Sequence, residues 1–367
     1  MPVSPKTTTE LFGHEGAFTA LLRDFSNGKL AHGWIISGPQ GIGKATLCYH
    51  FARHILSPCH PEQSKGSPSI EGDPSTPLRS ALDDKIFKRI AAGSHSDILV
   101  VEPIFDTKKE EYARDITVGQ AREIAQFLSL TPGEGQWRVV IIDSVDALNA
   151  NGANAILKIL EEPPPQAILL LISHNPGRLL PTIRSRCRIL KLKALDQQQF
   201  TAVMAHIAPE IDSEECIALG QLAKLSPGLA LEFHEQGALF LYNQILDLLL
   251  SLPALDPVKI HAFADAMTAG KTHANWSLFT RMILCLFERI AIEASGLVLE
   301  PLSKNEEKLL QKLAAYHPAH IWAEKWQQVA NQFLLAERLH LDYKQIIIVF
   351  FHSISEIEEF KIGNAAA

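Results

Sequence analysis

The segment Gly38-Pro-Gln-Gly-Ile-Gly-Lys-Ala-Thr46 carries the clearest chemistry in the chain. Gly38, Gly41 and Gly43 let a backbone turn tightly and come close to a ligand, and Lys44 can reach the outer phosphates of a nucleotide. This spacing is that of a phosphate-binding loop, with one departure. The residue after the lysine should place a hydroxyl on Mg²⁺, and it is Ala45; the hydroxyl of Thr46 comes one position late. ATP or ADP is a candidate ligand whose retention the sequence leaves open, and Mg²⁺ is not expected to be well bound. A second group is Asp143, which ends the apolar run Val139-Val-Ile-Ile. A carboxylate at the end of a buried strand suits the metal side of a nucleotide site. The glutamate that would orient an attacking water is absent, since Ser144 follows, and serine cannot act as that base.

These residues need elements to position them. Short apolar runs at Trp34–Ser37, Asp97–Val101, Arg138–Asp143, Ala167–Ser173 and Arg188–Lys193 read as strands, several of them apolar on both faces as in a buried parallel sheet. Helical patterns at Ala45–Leu56, Val118–Leu130 and Asn151–Leu160 lie between them, so the first half is an α/β layered domain. The loop thus follows a strand and opens a helix, where backbone N–H groups converge on an anion. From Ser57 to about Thr76, Pro, Ser, Gly and charge predict a mobile surface insertion. Beyond Lys193 strands nearly vanish and the chain is all-α. Asp256 and Pro257 fit an N-cap and a first helical residue. Helices are predicted at Trp276–Ala294, Asn305–Tyr316 and Ile321–Leu339, and the apolar run Ile346–Phe351 is read as buried helix. The expected divisions are 1–194, a helical unit at 195–252 and a second at 253–367.

Composition excludes several classes. The chain has 367 residues, 47% hydrophobic, and a formal net charge of −7, so contact with nucleic acid must use a local patch. An odd count of 5 cysteines argues against a disulfide framework and for a reducing compartment. No secretory signal and no membrane-length apolar run are visible, so cytoplasm is the expectation and no membrane partner is expected. Cys48, His50, His54, Cys59 and His60 could be weighed as zinc ligands, but the paired cysteines of a structural site are missing. Zinc is not expected, and His50 and His54 read as incidental helix residues.

The chain resembles the delta-prime subunits of bacterial clamp loaders, an AAA+ family. The stretches that carry the resemblance are Leu11-Phe-Gly-His14, Lys29-Leu-Ala-His-Gly-Trp34, the loop itself, Asn154-Ala-Ile-Leu-Lys-Ile-Leu-Glu-Glu-Pro-Pro164, Ile183-Arg-Ser-Arg-Cys-Arg188 and Leu339-His-Leu-Asp-Tyr-Lys-Gln345. It implies a P-loop AAA+ domain, a small helical lid and a C-terminal helical collar. It implies that Arg186, within Ser185-Arg186-Cys187, is an arginine finger acting on the ATP site of a neighbouring subunit. Arginine suits that task because it is always charged and its planar fork can bond two phosphate oxygens. Read without the resemblance, Arg178, Arg184, Arg186, Arg188, Lys191 and Lys193 form a cationic run containing no acid. The resemblance also places Asn175 as a polar sensor, and Leu229, in Ser226-Pro-Gly-Leu229, where the family has a phosphate-contacting arginine.

Three departures, Ala45, Ser144 and Leu229, all concern use of ATP by the chain itself, whereas Arg186 would serve a neighbour. The resemblance then implies a non-hydrolysing stator within the DNA polymerase III holoenzyme. Its partners would be the gamma/tau motor subunits, the delta subunit, the sliding clamp and primer-template DNA. The alternative is an active DNA-dependent AAA+ ATPase of the motor type, which Lys44 and Asp143 favour.

Overall fold

The computed structural model describes residues 4–57, 81–103, 105–106, 111–112, 116–134, 137–270 and 272–363. The chain divides into two compact units, Met1–Ile211 with Lys224–Leu229, and Asp212–Ala223 with Ala230–Ala367. The first runs α1 (Glu15–Ser26), β1 (Gly33–Ser37), α2 (Lys44–Leu56), α3 (Ala81–Ala91), β2 (Ile98–Val101), β3 (Phe105–Asp106) and β4 (Glu111–Tyr112). It continues α4 (Val118–Ser129), β5 (Arg138–Asp143), α5 (Ala150–Glu161), β6 (Ala167–Ser173), α6 (Pro181–Arg186), β7 (Arg188–Lys191) and α7 (Gln197–Ile207).

Five strands form one parallel sheet in the order β2-β5-β6-β1-β7. All five predicted strands and the three predicted helices of this half are present. The small β3-β4 antiparallel ladder, α1 and α3 were not signalled by periodicity. Alternation along each strand splits the core between the two faces. Ile36, Ile141 and Leu170 pack with Leu21 of α1 and Leu47, Phe51 and Ile55 of α2. Ile35, Val140 and Leu169 pack with Ile124 and Leu128 of α4 and Ile156 and Leu160 of α5. These strands are therefore apolar on both faces because helices cover both. The register pairs Ser37 with Ser173 and Asp143 with Ile172, so the loop after β1 and the ends of β5 and β6 share one edge of the sheet. After β1, which lies between β6 and β7, the next strand is placed at the far edge, and this switch in direction opens a crevice at the carboxyl ends of the strands.

The second unit contains α8 (Ser213–Leu222), most of α9 (Pro227–Glu235), α10 (Ala238–Leu250), α11 (Pro257–Thr268), α12 (Thr272–Ala294), α13 (Lys304–Ala314), α14 (Ala319–Arg338) and α15 (Tyr343–Gly363). Asp256 caps α11 by accepting from Val258 N, with Pro257 at the first helical position, and Ile346–Phe351 is helical within α15. Helix α12 packs against α10, α11, α13 and α14. Its Phe279 lies among Phe263, Phe333, Phe350 and Phe351, and Trp276 stacks on Tyr343 at 4.3 Å between ring centres.

One polar group sits inside this apolar packing. Glu306 of α13 is fully buried, and its carboxylate accepts from Arg289 Nε at 2.7 Å, Arg289 Nη2 at 3.0 Å, Tyr242 Oη at 2.6 Å and Leu302 N at 2.6 Å. Arg289 also donates to Glu300 O at 2.8 Å. Burial and the neighbouring carboxylate push the Tyr242 hydroxyl well above its ordinary value, so it stays a donor. The group ties α10, α12 and α13 together, and four of the five bonds named here end on the Glu306 carboxylate. Removing one partner of a buried pair leaves the other charge uncompensated. Glu306→Ala is therefore expected to destabilise the second unit by about 3–5 kcal/mol. Denaturant unfolding followed by tryptophan fluorescence checks this; a loss below about 1 kcal/mol, the range of a surface ion pair, would contradict it.

Among the described residues no helix is long and apolar enough to cross a membrane, and Cys48, Cys187 and Cys216 are free thiols. The stretch expected to be a mobile insertion lies outside the described residues except for Ser57, as do Cys59 and His60.

Candidate functional site

The loop between β1 and α2 is held through its carbonyl groups. Lys44 Nζ donates to Gly38 O at 2.8 Å and also to Pro39 O. Ser226 Oγ donates to Gln40 O at 2.5 Å, and Gly228 N donates to Gly41 O at 2.9 Å. The buried ring of His14 donates from Nε2 to Ile42 O at 2.7 Å, and Leu47 N donates to Gly43 O at 3.0 Å. Every carbonyl from Gly38 to Gly43 thus has a protein donor. What the loop leaves for a ligand is N–H, because the first turn of α2, including Ala45 and Thr46, has no earlier carbonyl within the helix to bond. Together with the helix dipole this is an anion-binding donor set.

Two glycines make the arrangement possible. Gly41 has φ +74°, and a Cβ there would stand 2.5 Å from Leu229 N; a Cβ on Gly228 would stand 3.0 Å from Gly41 Cα. The strap Ser226–Leu229 is presented by two consecutive non-glycine residues in the left-handed region, Lys224 at φ 52° and Leu225 at φ 56°. Such residues are uncommon and cost roughly 1–3 kcal/mol each, so the surrounding contacts must hold them there. Although residues on both sides of it fall in the second unit, Lys224–Leu229 belongs to the first.

Lys44 is 3% exposed. Burial brings its ammonium down to about 8, and the carboxylates of Asp143 and Asp146 work against that fall. Burial raises the Asp143 carboxyl, while Lys44 lowers it. Asp146 is bonded on both oxygens: Ser173 Oγ donates to Oδ1 at 2.8 Å and His174 N donates to Oδ2. It ties the turn after β5 to the end of β6. Burial lowers the His174 imidazole, helped by the Lys44 charge. Asn175 begins a short 3-10 turn at Pro176–Arg178, and its exposed side chain makes no capping bond. The expected residues Gly38, Gly41, Gly43, Lys44, Thr46 and Asp143 therefore come together at one end of the sheet, with Asn175 at its border.

The donor set fits phosphate better than a metal shell. Ala45 offers no oxygen, and the Asp143 carboxylate faces the Lys44 charge. Among the described residues no cluster of His, Cys, Asp or Glu is arranged to hold a metal ion. Burial and the Arg53 charge bring His50 down to about 4, and His54 packs against the rings of Phe18 and Phe25.

Arg186 is the last residue of α6, half-buried at the surface. Its Nη1 donates to Thr182 O at 3.0 Å and its Nη2 to Glu161 Oε1 at 2.7 Å. Arg188 pairs with Asp24 at 2.6 Å and lies over the Trp34 ring. The cationic run contains no acid of its own, and the fold supplies Glu161 and Asp24 from distant segments. Periodicity gave no sign of these partners, nor of the bonds His14, Ser226 and Gly228 make to the loop, although all three lie in stretches that carry the resemblance.

A five-stranded parallel sheet, a phosphate loop opening α2 and an acid at the end of β5 define a P-loop α/β protein of the AAA+ class. The chain belongs to the family described as DNA polymerase III, delta subunit, whose model matches residues 13–196. A DNA polymerase III delta-prime subunit from Pseudomonas aeruginosa is 36% identical over 210 residues, 56% of this chain and 57% of that protein. Together with the family match, it supports a clamp-loader subunit of the delta-prime type. A tau/gamma subunit from Haemophilus influenzae is 32% identical over 225 residues, 61% of this chain and 29% of its own length. The chain thus matches little more than half of the delta-prime relative and less of the other. A gamma-subunit-related protein of known structure from Thermotoga maritima aligns with 85% of this chain and 97% of its own, at 16% identity and a TM-score of 0.36.

A pH dependence follows from Lys44. Its charge is half lost near pH 8 and falls away progressively above it, well short of the ordinary lysine value. Binding of inorganic phosphate or ADP, followed by equilibrium titration, is expected to weaken by up to about tenfold per pH unit above that point. Binding that holds constant to pH 10 would contradict a role for the lysine charge.

Proposed function

We propose that the chain is a non-hydrolysing stator of the replicative clamp loader, which supplies Arg186 to the ATP site of an adjacent motor subunit. The observation that carries this reading is an asymmetry. At the chain's own loop the metal hydroxyl and the water-orienting carboxylate are replaced by Ala45 and Ser144, and the strap places Leu229, an apolar residue, against Gly41. At the other site Arg186 stands at the surface with a complete guanidinium fork. The loop serves as a scaffold that can take ATP or ADP through N–H groups and Lys44, without organised Mg²⁺ and without turnover. Phosphoryl transfer depends on positioned metal, water and counter-charge together, so the loss of two of these disables hydrolysis in cis.

In this reading the partners are the gamma/tau motor subunits and the delta subunit, with the sliding clamp and primer-template DNA engaged by the assembly in the cytoplasm. DNA contact is to backbone phosphate, since no base-reading motif is present. The working organisation is an AAA+ domain at 1–194, a lid at 195–252 and a collar at 253–367. The alternative, an active DNA-dependent ATPase, draws on the retained pair Lys44 and Asp143.

Steady-state hydrolysis separates the two. The isolated chain is expected to show no turnover above background with or without primed DNA, and Arg186→Ala is expected to assemble normally and slow hydrolysis by the complex. A finger supplied in trans is worth ~10³ or more at the site it completes. Robust turnover by the isolated chain that is lost in Lys44→Ala would overturn the stator reading, and unchanged hydrolysis by the Arg186→Ala complex would overturn the finger assignment.

A further inference from the structure

Glu161 is a carboxylate in a place that local physics disfavours. It is the last residue of α5, where the negative end of the helix dipole repels an anion by about 0.3–1 kcal/mol. Helix ends ordinarily carry cations there. The fold resolves the conflict with one contact, the bond from Arg186 Nη2 to Glu161 Oε1 at 2.7 Å. The two residues are 25 positions apart, on α5 and α6. As a source of stability the pair is weak: the side chains are 34% and 51% exposed, and such pairs contribute about 0–1 kcal/mol.

Its effect on the geometry of Arg186 is larger. A free arginine side chain samples many rotamers and loses about 2 kcal/mol of entropy when fixed. Here two anchors act on the two terminal nitrogens of one guanidinium, Thr182 O on Nη1 and Glu161 on Nη2. Because the group is planar, two anchors fix the direction of its plane. Two of its five N–H donors are used, and the others are left for an acceptor outside the chain. Neighbouring Arg188 shows a different arrangement, packed over Trp34 and paired with Asp24, which commits the face of its guanidinium and its charge to the body of the domain.

We infer that Glu161 is a positioning residue for Arg186: its carboxylate holds the guanidinium at the surface in one orientation, ready for a phosphate of the neighbouring nucleotide. The inference rests on the finger reading above. The bond is charge-assisted and therefore short and directional, and its exposure keeps its net strength low. The finger is thus ordered before the neighbour arrives, and the entropy of ordering is not lost at the moment of reaction. Glu161 itself touches no reacting atom.

The test uses the full chain in the assembled complex. Single-turnover ATP hydrolysis is measured over a range of ATP concentrations for wild type, Arg186→Ala, Glu161→Ala and Glu161→Gln, with thermal melting of each free chain. Arg186→Ala is expected to slow one kinetic phase, that of the site facing this chain. In Glu161→Ala the same phase is expected to slow about tenfold at saturating ATP, with half-saturation within twofold of wild type and no change in melting temperature, the pattern of an interaction made in the transition state. Glu161→Gln keeps an acceptor and is expected to recover most of the rate. If Arg186→Ala slows the phase and Glu161→Ala does not, or speeds it, the positioning role fails while the finger stands. Should Arg186→Ala change nothing, both fail. A lowered melting temperature in Glu161→Ala, with an unchanged phase, would mark the pair as structural only.

Discussion

A buried ammonium at the start of a helix sets the terms for the rest of the first unit. Lys44 sits almost out of water, next to the positive end of α2, and both conditions oppose its charge. Burial lowers it, the carboxylates of Asp143 and Asp146 oppose that fall, and its value comes only to about 8; its ammonium donates to the carbonyls of Gly38 and Pro39. Two carbonyls of the loop, those of Gly38 and Pro39, accept from the lysine, and the remaining carbonyls accept from Ser226, Gly228, His14 and Leu47. The sheet register then matters because it brings Asp143 and Asp146 to the same edge. A loop bound on its oxygen side by the protein presents its nitrogen side to anything else.

In the proposed reading, the loop keeps the pattern of an ATPase in sequence without two of the side chains that hydrolysis uses. In loops of this type the groups suited to phosphate are backbone N–H and lysine, and these survive changes at the neighbouring side chains. The groups that organise metal and water are side chains at single positions, and Ala45 and Ser144 remove them without disturbing the turn. At the strap, Gly228 meets Gly41 so closely that neither position admits a side chain, which leaves Leu229 against the loop. In the proposed reading, the groups that act in cis and in trans lie on separate parts of the domain. Arg186 lies on α6, and its guanidinium is bonded to Thr182 of α6 and Glu161 of α5, not to the loop.

Much of this was legible in the sequence where the signal is local. Strands read as apolar runs because the sheet is covered on both faces, and α2, α4 and α5 read as helices because their apolar residues recur with the helical period. The cap at Asp256 and Pro257, and the helical state of Ile346–Phe351, were legible for the same reason. Partners set by tertiary contact were not. Ser226 and Gln40 are 186 residues apart, Tyr242 and Glu306 are 64, and Arg188 and Asp24 are 164, and no periodicity connects such pairs. The cationic run around Arg186 is locally unpaired and becomes partly neutralised only when α1 and α5 are in place.

The central claim is that the loop holds phosphate by backbone and lysine, with the metal-dependent half of the site gone. Equilibrium binding of a fluorescent ADP or ATP analogue to the isolated chain, with and without Mg²⁺, tests it most directly. The account predicts measurable binding that Mg²⁺ changes by less than about threefold, since no hydroxyl stands at position 45 to ligate it. Affinity that rises tenfold or more on addition of Mg²⁺ would show an organised metal site and contradict the account.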